Sequence, residues 1–303
     1  SKHEVHLDPT LWKSPDKIKG LLPACRALII RNQTKINGDL LSIAGRLEII
    51  GRAGAGLDNI ELPAATERGI VVASTPDQNS ISVAELALGI MLALARRLYP
   101  ANQHAHANGW ERQRFMGTEL YGKNLGIVGL GRIGFLTAMR GRAMGMNILV
   151  HDNYISPDAV AVAETRAELL DLNSLLARSD FVSCHVPLTR ETGNFFNYDR
   201  FCQMKPTAFF LNLSRGEVVN ESDLLRALKD SKIAGAGLDV RQKEPPSSNP
   251  FEGMENVILT PHIAAFTREA QERVVAAVCQ DVASVLAGGA AKNFVNFPKP
   301  KRG

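Results

Sequence analysis

Cysteine is scarce and scattered in this chain. Four residues, Cys25, Cys184, Cys202 and Cys279, are spread over 303 positions without a C-x-x-C pair. No disulfide framework or metal site is therefore expected, and a reducing compartment is the natural setting. Long charge runs are missing too. Lysine and arginine total 35 against 31 acids, a net charge of +4, and the one local basic cluster, Lys299-Pro300-Lys301-Arg302, reads as a solvated end, so nucleic acid is not an expected partner. No apolar stretch suits a bilayer, because the most apolar helical run, Ser82 to Ala95, is too short and carries Glu85. The N-terminus does not read as a signal peptide, internal repeats and low-complexity tracts are lacking, and only Pro245 to Pro250 looks like a loop rich in turn formers. These absences exclude membrane-spanning, disulfide-stapled and nucleic-acid-binding classes. A cytoplasmic globular protein is left, 45% hydrophobic and 22% charged, long enough for two domains and a substantial core.

What is present is organised around Asn124 to Asp152. An apolar segment, Leu125-Gly126-Ile127-Val128, leads into Gly129-Leu130-Gly131-Arg132-Ile133-Gly134, then a helical run, then Ile148-Leu149-Val150 and Asp152. This is strand, glycine turn, helix, strand, acid. In such a unit Gly129 makes the tight turn, Gly131 lets the backbone approach a pyrophosphate at the helix N-terminus, and Gly134 lets the helix lie close to the sheet. Asp152 stands where it would accept hydrogen bonds from an adenosine ribose and repel a 2'-phosphate, which favours NAD over NADP. A G-x-G-x-x-G motif alone is weak; its strand, helix and terminal acid make the dinucleotide reading specific.

On either side, strands alternate with helices. Before the glycine motif come Ala27-Leu28-Ile29-Ile30, Leu47-Glu48-Ile49-Ile50 and Ile70-Val71-Val72-Ala73, followed by a helix from Ser82 to Leu98 and a polar segment to Gly122. After it come Phe181-Val182-Ser183, Ala208 to Leu211, Ile233 to Leu238 and Val257-Ile258-Leu259, giving six strands, enough for a doubly wound sheet. A last helix, about Thr267 to Leu286, leads to Asn293-Phe294-Val295-Asn296, a short apolar strand read as the chain crossing back. The expected fold is α/β: a Rossmann doubly wound parallel sheet over 98–281, and a smaller flavodoxin-like α/β substrate domain over 1–97, completed by 282–303.

Three polar residues follow the ends of late strands, where ligands sit in open parallel sheets. Arg215 lies in Asn212-Leu213-Ser214-Arg215-Gly216, Glu244 follows Asp239-Val240, and His262 lies in Thr260-Pro261-His262-Ile263. Oxidising an alcohol by hydride transfer needs a base for the hydroxyl proton, for which an imidazole titrating near neutrality is suited. A guanidinium matches a carboxylate, so Arg215 suits a 2-hydroxy or 2-keto acid. Glu244 beside His262 would stabilise the imidazolium. His104 and His106 fall in a polar helix without a partner motif and read as surface residues.

The order GLGRIG, NLSRG, GLDV followed by EPP, and PHIA resembles the D-isomer-specific 2-hydroxyacid dehydrogenases over nearly the whole chain. Within that family, Gly51 to Asn59 and the segment from Trp110 to Leu120 are most similar to the branch that converts D-3-phosphoglycerate to 3-phosphohydroxypyruvate. The resemblance implies a two-domain NAD-dependent enzyme with its active site in the cleft, hinged at two chain crossings and dimeric through the dinucleotide domains. It makes Arg215 the substrate clamp and Glu244 with His262 the acid/base pair, places Asp239 near the nicotinamide, and puts His185, in Ser183-Cys184-His185-Val186-Pro187, along the cofactor. It also matches Arg31 and Arg52 to positions that hold a distal phosphate, with Gly54, Asn79 and Ser80 on neighbouring loops. Two guanidiniums directed at one cleft suggest a second anionic group on the substrate.

Departures from the pattern bear on substrate. A first strand and helix of the substrate domain are expected to be absent from this copy, and no regulatory domain is expected after the core. The run Ile263-Ala264-Ala265-Phe266-Thr267 differs from the Gly-Ala-Ser-Thr type common in the phosphoglycerate branch. Hydroxypyruvate or glyoxylate reduction and sulfolactate oxidation are the alternatives within the family, and an NAD-sensing corepressor-like binding protein is the alternative of another class.

Overall fold

The computed structural model describes residues 3–297; the basic cluster at 299–302 lies outside them. The described residues form two compact units, one of the residues up to Asn79 with those from Arg268 onward, the other Ser80–Thr267.

The first unit contains α1 (Pro15–Leu21), β1 (Ala27–Ile30), α2 (Gly38–Ser42), β2 (Ile49–Arg52), α3 (Leu62–Glu67) and β3 (Val71–Ser74). The strands make a three-stranded parallel sheet in the order β1-β2-β3, with Ile30 opposite Arg52 and Arg52 opposite Ser74. Side chains alternate across it as the two-residue period of a strand requires. Ile50 and Val72 enter a core with Ile18, Leu22 and Leu41, whereas Ile49 and Ala73 face the other way.

The second unit opens with α4 (Ser80–Ala95) and α5 (Leu98–His106), then β4 (Asn124–Val128), α6 (Arg132–Ala143), β5 (Asn147–His151), α7 (Val160–Thr165), β6 (Glu168–Leu169), α8 (Leu172–Arg178) and β7 (Phe181–Cys184). It continues through α9 (Tyr198–Cys202), β8 (Phe209–Asn212), α10 (Glu221–Lys229), β9 (Gly235–Leu238) and β10 (Val257–Leu259). The sheet has seven parallel strands ordered β10-β9-β8-β7-β4-β5-β6. Strand order reverses between β4 and β7, the switch point at which such sheets open a crevice beyond the strand C-termini. Helices cover both faces, so β4 and β7 are buried along nearly their whole length rather than alternating. The seventh strand, β6, is absent from the six expected, being only two residues long.

Chain return to the first unit comes with α11 (Arg268–Leu286). Its Val274, Val278 and Val282, spaced four apart on one face, pack on Ile49 and Ala73. Gly51 makes room: a Cβ there would stand 2.6 Å from Val278. The following residues run along β3, with a single antiparallel bridge from Phe294 to Ala73 in place of the expected strand. Val72 and Asn293 supply carbonyls to the amides of Val295 and Ser74 at 2.9 and 3.0 Å.

These packings correct the expected boundaries. The units divide at 79/80 and 267/268, not at 97/98 and 281/282. Val83, Ala87, Ile90 and Met91 of α4 share a core with Leu125, Ile127, Ala138 and Leu211 of the second unit, and α11 belongs to the first by its valine face. The expected helix from Ser82 to Leu98 is also interrupted, because Arg97 takes a left-handed φ of 50° between α4 and α5. Among the described residues no helix is long and apolar enough to cross a membrane.

Candidate active site

At the C-terminal end of β4 the chain turns through Gly129, whose φ of +96° favours glycine and whose absent Cβ would lie 3.1 Å from the His185 carbonyl carbon. Gly131 caps α6, and the space where its Cβ would stand is open. Gly134 is the opposite case, since a Cβ there would sit 2.1 Å from the Gly129 carbonyl oxygen. The turn thus brings the first-turn amides and the positive end of α6 to an open face. Arg132 and Ile133 form the first helical turn, Arg132 exposed and Ile133 partly buried. Asp152 follows β5 and is fixed by backbone donors, Leu130 N–H to Oδ2 and Tyr154 N–H to Oδ1, both at 2.8 Å. Amides for a pyrophosphate and a held carboxylate for a ribose, with room at Gly131 between them, fit a dinucleotide.

His185 follows β7 and lines the same turn. Its amide donates to Val128 at 2.8 Å, and its Nε2 lies 2.9 Å from Ser183 Oγ. Nδ1 is buried and has no hydrogen-bond partner among the described residues. Burial pushes the imidazole down to about 4, so it is neutral and presents an uncompensated polar atom beside the glycine turn.

The chemistry-bearing side chains gather beyond β8, β9 and β10. Asn212 ends β8, and its Oδ1 accepts from the Ser214 amide at 3.1 Å and hydroxyl at 2.8 Å while its Nδ2 donates to the Arg215 carbonyl at 2.9 Å. That fold-back shapes the loop carrying Arg215, whose Nη1 donates to the Ser214 carbonyl at 2.8 Å. Asp239, 1% exposed, follows β9. Its Oδ1 accepts from Thr260 Oγ1 and the Ile263 amide at 2.6 and 2.8 Å, and its Oδ2 accepts from the Ala264 amide at 2.9 Å. One buried carboxylate therefore organises the 260–264 loop, where His262 adopts a left-handed φ of 55°.

His262 Nδ1 lies 2.7 Å from Glu244 Oε2. The hydrogen bond to Glu244 raises the imidazole above its ordinary value; partial burial opposes the rise, the Glu244 and Asp239 charges add to it, and Arg215 subtracts. For Glu244, burial pushes the carboxyl up, but hydrogen bonds from His262 and the Arg241 amide, with the charges of His262 and Arg215, outweigh it and leave it below the usual range. Both shifts favour an ion pair. With Nδ1 engaged, Nε2 is the atom left to exchange a proton.

The first unit holds a separate cluster at the C-terminal edge of its sheet. Arg52 ends β2, its Nη1 donating to the Ala53 carbonyl at 3.0 Å. Its guanidinium lies where a side chain at Gly54 would stand, a Cβ there meeting Nη1 at 1.7 Å, so Gly54 clears the path for Arg52. Arg31, just past β1, hydrogen-bonds Gln271 of α11. Asn79 keeps a buried Oδ1 without a hydrogen-bond partner among the described residues, whereas Ser80 opens α4 in the second unit.

Other polar residues have structural explanations. His104 Nε2 accepts from the Glu111 amide at 3.2 Å and its ring lies 5.2 Å from Phe115. Among the described residues no group of His, Cys, Asp and Glu could hold a metal ion. A cavity of about 690 Å³ lies at the opposite end of the strands, lined by Tyr99, Met116, Phe181 and Phe209, away from the groups described above. The pair Glu221 and Arg241, twenty positions apart, carried no sequence signal and is visible only in the fold.

A parallel sheet with a glycine turn and a held carboxylate at its switch point, and a hydrogen-bonded His–Glu pair and an arginine at its strand ends, is an arrangement of the dinucleotide-binding class. The chain belongs to the D-isomer specific 2-hydroxyacid dehydrogenase family, whose NAD-binding domain profile matches residues 88–264. It is 44% identical over 298 residues to the D-3-phosphoglycerate dehydrogenase of Archaeoglobus fulgidus, covering 98% of this chain and 56% of that protein. Identity to the enzyme of the same name from Methanocaldococcus jannaschii is 45% over 271 residues, covering 89% of this chain and 52% of that one. The chain therefore spans about half the length of these relatives. Among solved structures, a protein of Thermus thermophilus matches with a TM-score of 0.87 at 33% identity, covering 97% of this chain and 91% of that one. A D-lactate dehydrogenase of Aquifex aeolicus, complexed with NAD and lactic acid, matches with 0.84 at 30%, covering 93% and 90%. NAD is the cofactor of this domain.

Proposed function

We propose that the protein interconverts a 2-hydroxy acid bearing a second anionic group with its 2-keto acid, D-3-phosphoglycerate with 3-phosphohydroxypyruvate being the pair. The 2.7 Å contact between His262 Nδ1 and Glu244 Oε2 carries the reading, with Arg215 close enough to perturb both groups. Bound NAD supplies a hydride acceptor. In the oxidative direction His262 takes the hydroxyl proton at Nε2, Glu244 stabilises the resulting imidazolium through Nδ1–H, and Arg215 holds the substrate carboxylate. In the reductive direction the imidazolium returns that proton to the carbonyl oxygen. The backbone amides of Gly131, Arg132 and Ile133 at the start of α6 would bear the pyrophosphate, Asp152, itself held by the Leu130 amide, would take the ribose hydroxyls, and Asp239 and His185 would line the nicotinamide side. Arg31, Arg52, Gly54 and Asn79 of the first unit would receive the distal phosphate, and on this reading the first unit is the substrate domain and the second the NAD domain.

A homodimer through the second unit is part of the reading. Leu98, Tyr99, Trp110, Met116 and Tyr121 are exposed apolar residues of the α5 to β4 segment, the kind of surface another chain covers. The four free cysteines suit a reducing cytoplasm. The deciding experiment follows NADH formation with D-3-phosphoglycerate, D-glycerate, sulfolactate and D-lactate. D-3-phosphoglycerate should show the highest kcat/KM; a higher value for D-glycerate or D-lactate removes the second-anion reading, and no turnover with any of the four removes the enzymatic one.

A further inference from the structure

Beneath the acid/base pair lies a second ion pair. Arg241 is 9% exposed, and its Nε and Nη2 donate to Glu221 Oε1 and Oε2 at 3.1 and 2.9 Å. This is the forked pairing that guanidinium and carboxylate geometry allow. The guanidinium carbon also lies 5.4 Å from the ring of buried Phe251. Glu221 is the first residue of α10, and its Oε1 accepts the Gln242 amide at 2.5 Å as well. One carboxylate thus grips the side chain of 241 and the backbone of 242.

From that grip a continuous line runs to the reacting nitrogen's ring. The Arg241 amide donates to Glu244 Oε1 at 3.0 Å, and Oε2 of the same carboxylate meets His262. The loop carrying Arg215 rests on the same backbone, because a Cβ at Gly216 would stand 1.9 Å from the Arg241 carbonyl oxygen and 2.5 Å from the Gln242 amide. Residues 242–250 are otherwise exposed, so little else steadies this side of the site. A mostly buried ion pair is a weak source of net stability. Its connections here are to the groups that orient Glu244 and seat Arg215.

We propose that Glu221 and Arg241 are positioning residues for the reaction: their forked pair fixes the 241–244 backbone so that Glu244 offers one carboxylate oxygen to His262, and it seats the Arg215 loop against that backbone. This rests on the roles given above to Arg215, Glu244 and His262. The charges facing His262 are Glu244, Asp239 and Arg215. Asp239 is held independently by the 263 and 264 amides, so loosening the pair acts on His262 through Glu244 and not through Asp239.

The test uses Glu221→Gln and Arg241→Lys in the full chain, with Arg178→Ala, which removes an exposed forked pair with Glu168 in the same unit, as control. His262 is titrated by NMR of histidine-labelled protein without substrate or cofactor, its signal assigned by its loss in His262→Gln. Glu221→Gln should lower the His262 pKa by roughly 0.5–1 unit as Glu244 loses its fixed orientation. It should lower kcat by about tenfold with NADH affinity unchanged, and Arg241→Lys, which keeps the charge without the fork, should lie between it and the parent. Arg178→Ala should change neither quantity. A folded Glu221→Gln or Arg241→Lys protein with an unshifted His262 pKa overturns the proposal, even if its melting temperature falls, because that is the mark of a merely structural pair. Should Glu221→Gln fail to fold, Arg241→Lys decides by the same criterion. If Glu244→Gln leaves turnover and its pH profile untouched while Glu221→Gln still shifts His262, the positioning stands and the catalytic reading falls.

Discussion

Replacing Glu244 by glutamine keeps the shape of the acid/base pair and removes its charge. In the parent, Glu244 Oε2 lies 2.7 Å from His262 Nδ1, with the side chains of His262 and Glu244 38% and 35% exposed. An opposite charge this close holds the imidazole above its ordinary value, and solvent screening at this exposure moderates the effect. In the oxidative direction His262 must begin neutral, so kcat/KM rises with pH through its pKa, and in Glu244→Gln that rise should come at lower pH. Turnover on the plateau should fall, because the imidazolium formed as the proton arrives has lost its counter-charge. Stability provides a second readout with a definite sign. A histidine raised on folding contributes stability that is full below its unfolded pKa, about 6.5, and is lost as pH rises through the folded value. Glu244 is lowered on folding, so its contribution is present above its unfolded value, about 4.3, and is lost as pH falls through the folded one. The difference in melting temperature between parent and variant should therefore be greatest on the acid side of neutrality and shrink above the His262 pKa. A pH-rate profile in Glu244→Gln that superimposes on the parent's would refute the pairing as a functional one.

Asp152→Ala should narrow the preference for NADH over NADPH, measured by fluorescence titration, by removing the repulsion of a 2'-phosphate; equal affinities in the parent would remove Asp152 from cofactor selection. Gly134→Ala forces a Cβ to within 2.1 Å of the Gly129 carbonyl and should destabilise by about 1–3 kcal/mol in denaturant titrations. Gly131→Ala enters open space, so it should alter stability by less than about 0.5 kcal/mol yet weaken NADH binding, and unchanged NADH affinity would show that no ligand approaches there. Arg52→Ala should raise KM for D-3-phosphoglycerate roughly ten- to a hundredfold, the equivalent of one charge-assisted hydrogen bond, and hardly affect D-glycerate. The gap should close with added salt, and an equal loss on both substrates makes Arg52 a structural partner.

Much of the site was legible because its parts obey local rules. Gly129, Gly131, Gly134 and Asp152 belong to one strand-helix-strand unit, where a positive φ calls for glycine at 129 and close packing calls for it at 134, and the acid follows the next strand. Arg215, Glu244 and His262 stand at strand ends, where parallel sheets place ligands. The domain boundaries were less legible. An apolar helical face such as that of α4 or the Val274, Val278 and Val282 stripe of α11 says that the helix is buried, not which sheet buries it. The break at Arg97 has no glycine or proline beside it, and β6 is too short to show alternation.

The least legible residues act through side-chain geometry across the sheet. Asp239 falls in a motif whose resemblance places it near the nicotinamide, yet both of its oxygens are engaged by the 260–264 loop. A non-glycine residue held at positive φ costs on the order of 1–3 kcal/mol, and His262 stands at +55°. Its amide bonds to the Asp239 and Thr260 carbonyls at 2.8 and 3.0 Å, and the next two amides bond to the Asp239 carboxylate; together these offset that strain. Asp239 therefore governs where the imidazole points, while Glu221 and Arg241 govern where its carboxylate partner points. Two anchors, buried Asp239 and the Arg241 fork on Glu221 of α10, explain how exposed Glu244 and His262 meet at hydrogen-bond distance although neither lies in a helix or strand.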